Sequence, residues 1–229
     1  MGILDILFPK RCVGCGRIGK YFCAVCRAKI RIIHTNEAVC PVCQHLSVDG
    51  MTHRKCKTRY APDRQTSFFQ YDGPTAKAIK LLKYRSVTDL AEEFVSLIPP
   101  QLLRQIPRSA RAGATLLPVP LHASRLRKRG FNQAEVLGQF LAHQLQVPLR
   151  TDILYRTKYA TPQADIKDKK DRIKNMKNVF SISNPQFSIH NSTILLFDDV
   201  TTTGATLASA ARELKRGGAK RVWAVTMAR

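Results

Sequence analysis

Ile194-Leu195-Leu196-Phe197-Asp198-Asp199-Val200-Thr201-Thr202-Thr203-Gly204-Ala205-Thr206 joins an unbroken apolar run to two adjacent carboxylates and a loop of small and hydroxyl residues. An apolar run without alternation suits a strand covered on both faces, so residues 194–197 are predicted as an inner strand of a parallel sheet. Asp198 and Asp199 follow at its C-terminal end, and a helix is expected from about Ala205. Ligands of open α/β sheets sit beyond the carboxyl ends of the strands, where a helix N-terminus offers free backbone N–H groups and a positive dipole end. Phosphate suits the segment Thr201 to Thr206: Thr201, Thr202, Thr203 and Thr206 supply hydroxyl donors, and Gly204 lets the backbone close around an anion. The paired carboxylates repel such an anion and need a neutral polyol or a cation. A ribose carrying a 5′-phosphate satisfies both halves.

This segment resembles the 5-phosphoribosyl-1-pyrophosphate (PRPP) motif of type I phosphoribosyltransferases, in which two acidic residues precede a T-T-G-x-T loop. The resemblance implies that Asp198 and Asp199 accept hydrogen bonds from the ribose hydroxyls. It implies also that Thr201, Thr202, Thr203, Gly204, Ala205 and Thr206 hold the 5′-phosphate.

The chain has 229 residues, room for one moderate domain and a small accessory one. Charge is its unusual bulk property, with 38 basic against 16 acidic residues and a formal net charge of +22. Residues 1–66 hold 12 basic and 4 acidic side chains and the rest 26 and 12, so the two parts carry +8 and +14 and neither is a detachable basic tail. Such a field favours polyanionic partners, namely nucleic acid, phosphorylated ligands or an anionic membrane surface. Nowhere do eighteen apolar residues run together, which argues against a membrane-spanning segment. Met1 to Phe8 is too short for a signal peptide, lacks a basic flank and reads as a short helical cap ended by Pro9. A cytoplasmic location is the expectation.

All 7 cysteines fall within the first 56 residues, as Cys12-x-x-Cys15, Cys23-x-x-Cys26, Cys40-x-x-Cys43 and, completed by a histidine, His53-x-x-Cys56. The last pair turns an odd cysteine count into four regular two-ligand knuckles. Eight such ligands suffice for two tetrahedral Zn²⁺ sites with no open coordination position, so structural rather than catalytic zinc is expected. Disulfides are disfavoured in a chain that shows no secretory signal. Spacing leaves the pairing of knuckles open. Consecutive pairing gives Cys12, Cys15, Cys23 and Cys26 as one site and Cys40, Cys43, His53 and Cys56 as the other. An interleaved arrangement would join the first knuckle to the third, and His45 could replace His53.

Residues 57–66 are polar, contain Pro62 and read as a linker. A strand is predicted at 67–71, helices with Ala76, Ile79 and Leu82 on one face and over 90–97, and a strand at 115–120. A loop covers Leu121 to Gln133, with a helix over 131–145. Strands at 194–198 and 222–227 flank a helix at 205–216 that stops at Gly217-Gly218. Alternation of this kind predicts an α/β fold with a parallel sheet flanked by helices. The domain expectation is a small zinc-ribbon domain over 1–60 and the sheet domain over 67–229.

Two basic segments remain. Arg125, Arg127, Lys128 and Arg129 crowd into five residues after a strand end. In type I phosphoribosyltransferases the loop at this place binds pyrophosphate, a role the resemblance carries to those four residues, and the planar fork of Arg fits phosphate oxygens. The second runs from Tyr155 through Arg156, Lys158, Thr161 and Gln163 to Arg172, charged and weakly periodic, as a mobile lid over the pocket would be. A lid would exclude water from an oxocarbenium-like centre.

The cysteine-rich head, the Pro118-Val119-Pro120-Leu121-His122 and Arg127-Lys128-Arg129-Gly130-Phe131-Asn132-Gln133 stretches, and the Asp198–Thr206 loop together resemble the ComF family of competence proteins. Arg156, Thr161-Pro162-Gln163, Arg172, Asn175 and Phe180 fit the same pattern across essentially the whole chain. The resemblance implies a type I phosphoribosyltransferase-like fold behind a zinc ribbon, and a role in natural transformation that handles single-stranded DNA in the cytosol. It extends to the transferase half of amidophosphoribosyltransferases. Their N-terminal cysteine chemistry does not carry over, because Cys12 is a metal ligand here.

Three functions compete on these grounds. A PRPP-type pocket beside a basic DNA-handling surface is favoured, with Tyr21, Phe22, Tyr60 and Tyr84 as candidate stacking residues. The alternative is an active phosphoribosyltransferase of nucleotide metabolism, displacing pyrophosphate from PRPP with Mg²⁺ on the leaving group; no catalytic residue is identified. The third is a scaffold that docks on a competence helicase through its zinc head.

Overall fold

The computed structural model describes residues 9–84, 88–157, 179–182 and 189–229. Its centre is one parallel sheet of β1 (Arg64–Phe69), β2 (Ala114–Pro118), β5 (Thr193–Val200) and β6 (Arg221–Ala228), in the order β1-β6-β5-β2. Leu195 of β5 pairs with Trp223 on one side and Leu116 on the other, which places the Ile194–Phe197 run in the interior. Successive side chains of a strand point to opposite faces, and β5 shows what that demands of its sequence. Leu195 and Phe197 enter one apolar core, whereas Ile194 and Leu196 enter a second. Both faces are covered, so both parities must be apolar.

The first core is closed by α2 (Gly73–Tyr84), α3 (Thr88–Ser96) and α7 (Gln133–Leu145), through Ile79, Leu82, Leu90, Phe94, Leu137 and Leu141. On the opposite face lies α8 (Ala205–Arg216), whose Leu207, Ala210, Ala211 and Leu214 recur at helical spacing. A fully buried Leu, Ile or Phe stabilises by about 1.5–3 kcal/mol relative to exposure, so these stripes fix which way each helix turns. Short helices α4 (Pro100–Leu103) and α5 (Arg108–Arg111) lead into β2. A separate antiparallel pair, β3 (Leu154–Arg156) and β4 (Phe180–Ile182), joins the second core.

Two predicted segments shift. β1 starts at Arg64, inside the stretch read as linker and ahead of the predicted strand at 67–71. Its first residues are polar yet buried: Gln65, Thr66 and Ser67 are 2%, 4% and 6% exposed. Their hydroxyls find partners on β6, with Trp223 Nε1 donating to Thr66 Oγ1 at 3.0 Å and Thr226 Oγ1 to Ser67 Oγ at 2.8 Å. A satisfied polar strand gives no hydrophobic signal. The segment 121–133 is likewise no open loop, for α6 (Ala123–Arg129) forms within it and stops at Gly130, whose φ of +79° suits glycine. Asn132 then caps α7, accepting from Ala134 N–H while its Nδ2 donates to the Val119 carbonyl at 3.1 Å. That residue ties the loop after β2 to the start of α7.

The head contains α1 (Ala24–Arg27) and single-turn 3₁₀ segments, with isolated bridges Arg11–Ile18 and Val39–Leu46 closing its knuckles. It lies along the free edge of β1, bridging Ile32 to Phe69 and Met51 to Arg64. An exposed strand edge is thereby covered.

Candidate functional site

Metal ligation is legible in the head from side-chain geometry. Cys12, Cys15, Cys23 and Cys26 bring their sulfurs together, as do Cys40, Cys43, His53 and Cys56, with all ligand atoms of each set within 4.8 Å of one another. Consecutive pairing is therefore what forms, and His53 rather than His45 completes the second set. All 7 cysteines are free thiols. His53 Nε2 lies 3.0 Å from the Leu46 carbonyl, which can only accept, so Nε2 holds the proton. Nδ1, 3.3 Å from Cys43 Sγ, is left with its lone pair toward the sulfurs, the tautomer a metal requires.

Burial pushes the Cys12 thiol up, but backbone N–H groups of Cys23, Cys15 and Gly14 outweigh it and hold the thiol at about 6. Cys26, buried among three other sulfurs, is pushed up to about 12. In the second set, backbone N–H groups of Cys43 and His53 overcome burial to lower Cys40, while burial and the neighbouring Cys43 and Cys40 raise Cys56 to about 11. Four donors this close cannot all carry their charge unaided. A divalent cation removes the conflict, and a set of four thiolates and a set of three with one imidazole both fit tetrahedral Zn²⁺.

The second site lies at the carboxyl ends of the sheet strands. A cavity of about 200 Å³ is lined by Lys83, Val119 to Leu121, Arg125, Arg129, Asn132 to Ala134, Arg156, Asp198, Asp199 and Thr206. β5 supplies the carboxylates. Asp199 N–H donates to Asp198 Oδ1 at 2.9 Å, and Val200 N–H to Asp199 Oδ1 at 2.8 Å, so each side chain is held by the next peptide. Burial pushes the Asp198 carboxyl well above the usual carboxylate range, with the Asp199 charge adding to the rise and Lys83 opposing it. Lys83 Nζ sits 3.3 Å from Asp199 Oδ2.

Of the four cations expected to meet pyrophosphate, the structure brings Arg125 and Arg129 to the cavity and leaves Arg127 and Lys128 exposed outside it. The reason is helical spacing. In α6, residues four apart share a face, so a run that looks uniform in sequence is divided into two sides. Arg156, at the end of β3, also reaches the cavity and lies over the Phe180 ring at 5.6 Å. Lys158, Thr161, Gln163 and Arg172, the rest of the expected lid, lie outside the described residues, as does the Met1–Phe8 cap.

The hydroxyl loop stands between two concavities. Thr206 faces the carboxylates, whereas Thr201 and Thr202 line a neighbouring hollow of about 380 Å³ with Arg31, Gln44, Gln70, Tyr71, Asp72 and Arg229. Thr203 Oγ1 accepts from Ala205 N–H at 3.4 Å, and Gly204, at φ +72°, opens α8. The first turn of that helix presents N–H groups without intrahelical partners. Lys83, one of three lysines on α2, carries no local sequence signal and only the fold sends it to the pocket. Asn132 and Gln133, part of the family pattern in sequence, are buried polar groups at a helix start. Among the expected stacking residues, Phe22 is withdrawn into the core against Phe94, with ring centroids 5.5 Å apart, while Tyr84 is 84% exposed. Among the described residues no helix is long and apolar enough to cross a membrane.

Comparison with known proteins finds a family for each half of the chain. A double zinc ribbon domain family matches residues 3–57, and a phosphoribosyl transferase domain family matches residues 132–229. The DNA utilization protein YhgH of Salmonella typhimurium is 29% identical over 207 residues, covering 87% of this chain and 86% of that protein. Its namesake in Escherichia coli is 30% identical over the same share of each chain. Competence protein F of Haemophilus influenzae is 36% identical over 115 residues, 49% of this chain and 50% of that protein.

Proposed function

The chain belongs to the ComF family of competence proteins, and on that premise we propose that it binds PRPP in the Asp198–Thr206 pocket and acts in DNA uptake, handling incoming single-stranded DNA in the cytosol. One observation carries the ligand. Three charged segments far apart in sequence meet around a single cavity: Asp198 and Asp199 from β5, Arg125 and Arg129 from α6, and Arg156 from β3. Carboxylates and guanidinium groups facing one small space suit a ligand with hydroxyls at one end and phosphate at the other. In this reading Asp198 and Asp199 accept from the ribose hydroxyls, and Thr206 with the start of α8 takes the 5′-phosphate. Arg125, Arg129 and Arg156 meet the pyrophosphate, whose accompanying Mg²⁺ offsets the charge they leave. Lys83 keeps the carboxylate pair from repelling the whole ligand.

Calorimetric titration with Mg²⁺–PRPP tests the pocket. Wild type is expected to bind, and an Asp198→Asn/Asp199→Asn variant is expected to lose at least about tenfold in affinity, since each carboxylate accepts charge-assisted hydrogen bonds. Equal binding by both proteins would place the ligand elsewhere.

The nucleic-acid half rests on the net charge of +22 and on exposed cations around the second metal site, including Arg54, Lys55, Lys57 and Arg59. The Arg59 and Arg216 guanidinium carbons there lie 5.6 and 5.8 Å from the ring centre of Tyr60. Affinity for a single strand is expected to fall with salt at a log–log slope of about −0.7 per phosphate engaged. A flat salt titration would remove nucleic acid from the reading.

A further inference from the structure

The opening knuckles of the two metal sites, Cys12–Cys15 in the first and Cys40–Cys43 in the second, are built alike and differ at one telling position. In the first, Gly16 N–H bonds to Cys12 O at 2.8 Å and Cys12 N–H to Arg17 O at 2.8 Å. In the second, Gln44 N–H bonds to Cys40 O at 2.9 Å and Cys40 N–H to His45 O at 2.9 Å. The residue after the second cysteine must turn left-handed in both, with φ +78° at Gly16 and +60° at Gln44. Glycine takes that conformation freely and a glutamine does not. A side chain kept where the backbone disfavours one points to a use for it.

Gln44 has a specific neighbour. A Cβ placed on Gly16 would meet nothing within 4 Å, whereas one placed on Gly204 would lie 2.6 Å from Gln44 Nε2 and 2.6 Å from Pro41 O. The second knuckle therefore seats directly on the glycine that opens α8 inside the hydroxyl loop. Gln44 Nε2 donates to Pro41 O at 2.9 Å and to Gln65 Oε1 at 3.3 Å. Gln65, itself 2% exposed, passes the contact on through Nε2 to Ser67 Oγ at 3.2 Å. Thr226 Oγ1 donates to the same Ser67 oxygen at 2.8 Å, so this buried polar chain runs from the metal knuckle across β1 to β6.

We propose that Gln44 is a positioning residue for the sugar-phosphate pocket: ligation at Cys40 and Cys43 fixes its backbone, and its amide holds Gly204 and the Thr201–Thr206 loop in the anion-binding shape. The second metal site and the pocket are then coupled, and the first metal site is not. This inference rests on reading the pocket as a sugar-phosphate site, and its test separates the two. Gln44→Gly gives the second knuckle the residue that the first already uses, so two zinc ions per chain and the melting temperature should be kept. Affinity for Mg²⁺–PRPP should drop roughly tenfold. Amide hydrogen exchange at Thr201 to Thr206 should quicken with no ligand present. Gln44→Asn tolerates the left-handed backbone but falls one methylene short of Gln65, and should behave the same way. Gly16→Gln in the first knuckle should leave both readouts unmoved.

If wild type fails to bind PRPP, the pocket reading falls, yet faster loop exchange in Gln44→Gly still upholds the clamp. Unchanged exchange and unchanged affinity in a variant of a PRPP-binding wild type would overturn the clamp and spare the pocket. Loss of zinc from Gln44→Gly would also overturn it, because the effect would then run through the metal and not through the amide.

Discussion

The first metal site leans on the helical layer and the second on the sheet edge, and the kind of contact differs accordingly. Around Cys12 to Cys26 the head joins the apolar core. Phe22 is 3% exposed and stacks on Phe94, which stacks in turn on Phe69, each pair 5.5 Å apart. The Glu93 carboxylate accepts the Tyr21 and Phe22 N–H groups at 3.2 and 2.8 Å, and Lys77 Nζ donates to Gly14 O at 2.8 Å. Gly14 itself is pressed so close that a Cβ there would lie 2.5 Å from Cys26 Sγ. Around Cys40 to Cys56 the contacts are polar and backbone-mediated: the Met51–Arg64 bridge, Thr52 N–H to Asp63 O at 3.0 Å, and Gln44 on Gly204. Among the described residues, 39–56 contribute nothing to either core cluster. The same metal chemistry thus fastens the fold in one place and shapes a loop in the other.

The largest expected effect breaks this comparison most directly. Phe22→Ala removes a buried ring from the main core and should cost about 3–5 kcal/mol of stability by chemical denaturation, with some of the first site's order. Leu46→Ala, at a second-knuckle side chain that is 67% exposed, should change stability by no more than about 0.5 kcal/mol. Comparable losses from the two would mean that both sites fasten the fold and that the division is false.

What the chain discloses before folding tracks how local each determinant is. The carboxylates, the hydroxyl loop and the x-x ligand spacing are contiguous patterns, so Asp198, Asp199, Thr206 and the eight metal ligands are readable residue by residue. Pairing of the knuckles is set by the path of the chain between them and stays open until the head is folded. β1 is hidden because Gln65, Thr66 and Ser67 satisfy their polar groups across the sheet instead of advertising burial by hydrophobicity. The division of Arg125 and Arg129 from Arg127 and Lys128 needs the helical period of α6, which a loop reading discards. Lys83 and Gln44 act through partners more than 100 residues away, Asp199 and Gly204, a distance at which sequence spacing says nothing. Phe22 is the converse case, an aromatic beside a basic surface by sequence and a core residue by packing.

A smaller effect sharpens the contrast from the pocket side, where geometry is held at some cost to stability. Burial raises the Asp198 carboxyl above its ordinary value of 3.8, with Asp199 reinforcing the rise, so the folded chain holds this proton more tightly than the unfolded one. Stability from that group is then fully present below the unfolded value and is lost as pH climbs through the folded value. Asp198→Asn keeps an oxygen for the Asp199 N–H but never ionises. Its melting temperature should match wild type near pH 4 and exceed it increasingly as pH rises. The gap should widen until Asp198 is fully ionised in the folded wild type and then level off. A variant less stable than wild type at pH 8 would show that the ionised carboxylate is a net stabiliser through Lys83 and the Asp199 peptide. In that case the pocket, like the first metal site, would belong to what holds the fold together.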